Sequence, residues 1–159
     1  MRDVENIVSK LILETTYRRK PSLEEAPLVT DCLTSIHYIF KNALGIEIPL
    51  TFIGDMPRHL LSFGEWQALC IERERAQVGD LLFVKNKKRE KWLSHVGLIL
   101  GIDRIFHCSK EIGTARVESD QSFFSMYEQR LTLLEMACYI DVRNKRLRDK
   151  HQSAFLDAY

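Results

Sequence analysis

The chain has 159 residues, 45% of them hydrophobic, and 23 Lys+Arg against 22 Asp+Glu leave a formal net charge of +1. That size and apolar fraction fit one domain with a buried core. The charge balance excludes nucleic acid or an anionic membrane as a partner selected by net charge, and no apolar run approaches the roughly 20 residues of a membrane span.

Apolar residues Val4, Ile7, Val8, Leu11 and Ile12 recur at helical spacing, which predicts an amphipathic helix over 3–15. Residues 20–30 hold Pro21 and Pro27 and read as a loop. Thr30 or Asp31 then caps a second helix whose Cys32, Ile36, Ile39, Phe40 and Ala43 share a face, and Gly45 ends it. A third helix is predicted over roughly 58–74, carrying Leu60, Leu61, Trp66, Leu69 and Cys70.

From Gly79 the pattern changes to short β-type runs: Leu81–Val84, Val96–Leu100, Ile105–Cys108 and Ala115–Val117. Turn signals at 86–88, 101–103 and Gly113 separate them. Ser119–Arg130 reads as a short helix, Leu131–Val142 as a final strand or strand pair, and 144–159 as a charged tail. Helices first and strands afterwards at hairpin spacing predict an α+β domain with N-terminal helices packed on a C-terminal antiparallel sheet. The whole of 1–159 is expected to form this single domain.

The four cysteines, Cys32, Cys70, Cys108 and Cys138, form no C-x-x-C pair, and free thiols are expected. Met1–Lys20 alternates charged and apolar residues without the apolar core of a secretory signal, so a cytoplasmic location is expected. The alternative is export to the periplasm or cell envelope by a route not visible in the sequence. The basic clusters at 85–91 and 143–150 read as solvated loop and tail.

Cys32 stands at a helix start, where the dipole and unpaired N–H groups favour thiolate; the alternative is a small buried hydrophobe. His95 heads the apolar segment Val96–Gly101, and His107 lies on the next strand after a tight turn around Asp103. A hairpin there makes the two histidines neighbours, so that His107 can hold His95 through one ring nitrogen while the other serves Cys32. His37, His59 and His151 have no partner pattern. Zinc held by His95, His107 and Cys108 lacks any H-E-x-x-H or paired-cysteine signature, and neither metal nor other cofactor is expected. Gly79-Asp80 reads as a turn into a strand, and Arg116 as an exposed strand residue.

Three ordered segments resemble the NlpC/P60 family of cell-wall peptidases, a branch of the papain-like fold. They are Asp31-Cys32-Leu33-Thr34-Ser35-Ile36-His37-Tyr38-Ile39-Phe40, Gly79-Asp80-Leu81-Leu82-Phe83, and Ser94-His95-Val96-Gly97-Leu98-Ile99-Leu100-Gly101 with Arg104–Ser109. The resemblance covers roughly 30–143 and implies a cysteine peptidase with the catalytic set Cys32 (nucleophile), His95 (base) and His107 (orienter). It marks Tyr17 and Asp31 as substrate or oxyanion contacts, and it implies a peptidoglycan or muropeptide substrate cut between γ-D-glutamate and a diamino acid. Two departures bear on the substrate. Leu33-Thr34 stands where the family has Ser-Gly, and Arg18-Arg19-Lys20-Pro21 replaces its Tyr-x-x-Gly-Gly approach. A papain-like amidase or acyltransferase on another substrate, and a non-catalytic binding module, are the competing readings.

Overall fold

The computed structural model describes residues 4–45, 47–48, 50, 70–71, 79–87 and 94–134. Helix α1 (Val4–Glu14) buries Val4, Ile7, Val8 and Leu11, the stripe its spacing predicts. Two strands of two residues follow, β1 (Thr16–Tyr17) and β2 (Val29–Thr30), paired in parallel. Both fall in or beside the stretch read as loop, and two-residue strands leave no hydrophobic period to detect.

Helix α2 (Cys32–Ile39) continues into a wide turn over Phe40–Leu44, and Gly45 closes it at φ 71°, a left-handed conformation that suits glycine. Asp31 is the N-cap. Its side chain accepts from the backbone N–H groups of Leu33 and Thr34, while the Thr34 hydroxyl accepts from the Asp31 N–H. Two orphan donors of the first turn are thereby satisfied.

The remaining strands are β3 (Cys70–Ile71), β4 (Leu81–Asn86), β5 (His95–Gly101), β6 (Arg104–Cys108), β7 (Ala115–Glu118) and β8 (Tyr127–Leu134), with α3 (Asp120–Met126) between the last two. They form one antiparallel sheet in the order β3-β8-β4-β5-β6-β7. Cys70 is a correction to the sequence reading. It lies in a strand opposite Leu134, not in the tail of a helix reaching 74, because pairing with β8 outweighs local periodicity. The rest of that predicted helix, the final strand beyond 134 and the charged tail lie outside the described residues. The short helix expected from 119 ends at Met126, and the chain is already strand at Tyr127.

Leu81–Val84 of β4 and Val96–Leu100 of β5 are apolar and buried without alternation, which follows from both sheet faces being covered. One face packs Leu81, Phe83, Val96, Leu98, Leu100, Phe106 and Cys108 against the buried stripes of α1 and α2. The other packs Leu82, Val84, Ile99 and Ile105 against Phe123 of α3 and Tyr127 of β8. The architecture is α+β, as expected. Among the described residues no helix is long and apolar enough to cross a membrane.

Candidate active site

Four elements converge at the start of β5. Helix α2 is anchored by its Asp31 cap, which puts Cys32 at its first residue, 8% exposed. The two-residue turn at Ile102-Asp103 joins β5 to β6 with Leu98 opposite Phe106. Continuing that register sets Gly97 across from His107, so His95, two residues back on the same face, meets His107 on the diagonal. Their rings are edge to face with centroids 5.1 Å apart, and His95 Nε2 lies 2.9 Å from His107 Nδ1. The expected pairing of the two histidines is present.

The Cys32 sulfur sits by the backbone N–H groups of Val96 and Leu33, each favouring thiolate, and Val96 is the residue after His95. The His95 ring packs among Tyr127, His107 and Phe123. Among the described residues no hydrogen bond joins the sulfur to that ring, so the direct contact expected between them is not made in the resting structure. Catalytic hydrogen bonds often tighten only when substrate binds.

The expected thiolate is also reversed. Burial, and then the charge of the adjacent Asp31, push the Cys32 thiol well above the ordinary cysteine range, outweighing the N–H groups that favour ionisation. His95 is depressed well below the usual histidine range, by burial first and by His107 second. The resting pair is therefore neutral thiol and neutral imidazole.

Tyr17 and Asp31 take different places. The Tyr17 N–H donates to the Gly113 carbonyl at 2.9 Å, which fixes β1 against the loop joining β6 and β7. Burial first, and then the neighbouring acidic groups, push the Tyr17 hydroxyl up to about 12, so it stays a protonated donor. The Asp31 carboxylate is engaged as a cap. Oδ1 accepts from Leu33 N, Thr34 N and Thr34 Oγ1 at 3.1, 2.9 and 2.9 Å, and Oδ2 from Lys20 N at 3.0 Å.

Sequence reasoning missed Glu118 and Tyr127. Glu118 Oε2 lies 3.0 Å from His107 Nε2, and Oε1 lies 3.3 Å from Arg116 Nη1. Arg116 is thus tied to Glu118 rather than simply exposed. The predicted strand stopped at Val117, one residue short, although alternation from Arg116 puts position 118 on the same face. Tyr127 stacks on His95 and lies at a helix-to-strand junction that carries no motif.

No curated protein matches the chain in sequence. The description of the NlpC/P60 family matches residues 18–134. Among solved structures, the NlpC/p60 domain of the peptidoglycan hydrolase SagA is similar at 23% identity and TM-score 0.55, over 82% of this chain and 93% of that one. NlpC1 from Trichomonas vaginalis is similar at 16% identity and TM-score 0.60, over 83% of this chain but 42% of that one. The P60 domain of an antigen from M. avium subspecies paratuberculosis is similar at 18% and TM-score 0.52, over 87% and 96%. At these identities the likeness speaks for the fold, and the family match spans most of the chain, including Cys32, His95 and His107. The chain belongs to the NlpC/P60 family.

Proposed function

We propose that the protein is a cysteine peptidase that hydrolyses amide bonds in peptidoglycan stem peptides, with the bond from γ-D-glutamate to a diamino acid as the first candidate. The observation that carries the reading is the 2.9 Å bond between His95 Nε2 and His107 Nδ1. It engages one nitrogen of an imidazole whose backbone adjoins the Cys32 sulfur, and Nδ1 is then the nitrogen left to act as base.

In this reading substrate draws Cys32 and His95 into proton-transfer distance. His95 Nδ1 takes the thiol proton as the sulfur attacks the carbonyl carbon. The resulting oxyanion is stabilised by backbone N–H groups at the start of α2, that of Cys32 among them. Collapse breaks the C–N bond, and His95 returns the proton to the leaving amine. Water, deprotonated by His95, then hydrolyses the thioester and restores the thiol. Because the resting pair is neutral, deprotonation belongs to the attack and no ion pair precedes it.

Two observations favour a second reading, an amidase on a different acyl group. Apolar Leu33 replaces the family serine that helps hold the polar stem in relatives, and the Asp31 carboxylate is already satisfied by four donors. A muropeptide library incubated with the protein and read by mass spectrometry separates the two. Cleavage by wild type and none by Cys32→Ala supports the peptidase and identifies the bond. No cleavage, or equal cleavage by both, rejects it.

A further inference from the structure

An ionised carboxylate only accepts hydrogen bonds, whereas a carboxamide accepts on one side and donates on the other. Glu118 ends β7 with its side chain 7% exposed, one oxygen at His107 and the other at Arg116. Arg116 is an obligate donor, so it holds Oε1 without constraining protons elsewhere. His107, fully buried, must donate from Nε2 to reach Oε2. As a neutral ring it then has a bare Nδ1, and that nitrogen can only accept. The 2.9 Å contact next to it therefore requires His95 to donate from Nε2. Nδ1 of His95 is left without a proton.

We propose that Glu118 is a positioning residue that sets the direction of both hydrogen bonds and so holds His95 in the tautomer whose Nδ1 can receive a proton. The catalytic consequence rests on the reading of His95 as the base; the tautomer assignment does not. Burial keeps both rings neutral near pH 7.5, the condition the argument needs.

The sharpest consequence comes from Glu118→Gln, a substitution of nearly equal shape. Arg116 retains the amide oxygen, so the NH2 group faces His107 Nε2 and must donate to it. His107 then carries its proton on Nδ1 and donates to His95 Nε2, which drives the His95 proton to Nδ1. Every contact survives and every direction reverses. Removing the Arg116 guanidinium as well, in the double variant Glu118→Gln with Arg116→Leu, frees the amide to turn its oxygen toward His107.

The test is long-range 1H–15N spectroscopy of 15N-histidine-labelled protein at pH 7.5. The wild type is expected to show protonated Nε2 and bare Nδ1 on both His95 and His107. Glu118→Gln should show the opposite on both, and the double variant should recover a wild-type fraction. A proton on Nδ1 of His95 in the wild type overturns the proposal without any variant needing to fold. So does a folded Glu118→Gln protein with the wild-type pattern. Hydrolysis of the muropeptide that the wild type cleaves, followed in parallel, should slow at least about tenfold in Glu118→Gln, since a wrong imidazole tautomer costs on the order of 10⁴ in full catalytic turnover. A reversed tautomer with unchanged hydrolysis upholds the role of Glu118 and removes His95 as the base, so the two ideas fail separately.

Discussion

The ring of Tyr127 lies flat on that of His95, with centroids 4.4 Å apart and planes 8° from parallel. The Tyr127 hydroxyl is 3.4 Å from Glu111 Oε2, so the ring that supports the imidazole is itself held at its far end. Burial is the largest cause pushing that hydroxyl above the usual phenol range, which leaves it a donor. An imidazole bonded through one nitrogen can still swing about that bond, and a stacked ring resists the swing.

Tyr127→Phe keeps the stack and should leave hydrolysis and Cys32 alkylation within about twofold of wild type, because an aromatic contact does not need the hydroxyl. Tyr127→Leu removes the stack, worth about 0.5–1.5 kcal/mol, and should slow hydrolysis by roughly three- to tenfold. Rates of the two variants beside their melting curves check this. If Tyr127→Phe falls as far as Tyr127→Leu, the hydroxyl and not the ring is what matters.

Acid should destabilise the protein through its two site histidines. Both are depressed, with burial the first cause in each and the bond to Glu118 only partly offsetting it in His107. The unfolded chain takes up protons below about pH 6.5, while the folded protein waits for a lower pH. The stabilisation is therefore complete above that value and is lost as pH falls from it toward the folded values. Stability in denaturant titrations should be lower at pH 5.0 than at pH 7.5, by at most about 2 kcal/mol per histidine, and His95→Gln should reduce the difference. Equal stability at the two pH values would contradict the neutral buried pair.

Alkylation of Cys32 should climb steadily through the alkaline range, with no plateau between pH 4 and 7 of the kind a preformed thiolate–imidazolium pair produces. Asp31 raises the thiol, so Asp31→Asn, which retains a good N-cap, should speed alkylation at any fixed pH below full ionisation. Mass-spectrometric rates at Cys32 across pH 5–10 are the measurement. A plateau at acidic pH would show that the resting thiol is not neutral.

Gly97 leaves no room for a side chain. A Cβ there would meet Ile105 Cγ2 at 2.8 Å and Phe123 Cζ at 3.3 Å, both on the face that carries His95 and His107. Gly97→Ala should destabilise by about 1–3 kcal/mol and loosen the diagonal contact between the histidines. Chemical denaturation measures the first effect, and the His95 and His107 ring 15N signals the second. A stable variant with unmoved signals would show that the sheet absorbs the methyl group.

Much of the site could be read from local pattern. Asp31 before an apolar helical face announces a cap, and it puts Cys32 at the helix start whatever else the chain does. The apolar run after His95, the tight turn at Asp103 and the second histidine announce a hairpin, because a two-residue turn with matched strands permits few registers. Cys70 shows where this reasoning stops: its neighbours have helical spacing, yet it pairs with Leu134, far along the chain.

What only the folded chain decided concerns burial and long-range neighbours. The helix start favours ionisation of Cys32 and the adjacent Asp31 opposes it, but desolvation is larger than either; it acts over the whole surroundings of an atom, and α1, α2 and the sheet together supply them. Glu118 and Tyr127 reach the imidazoles from β7 and β8 across the sheet, so no spacing in the sequence encodes their contact. Local pattern picked out Cys32 and His95. The partners that hold the two imidazoles, within 3.0 Å, were supplied only by the antiparallel sheet.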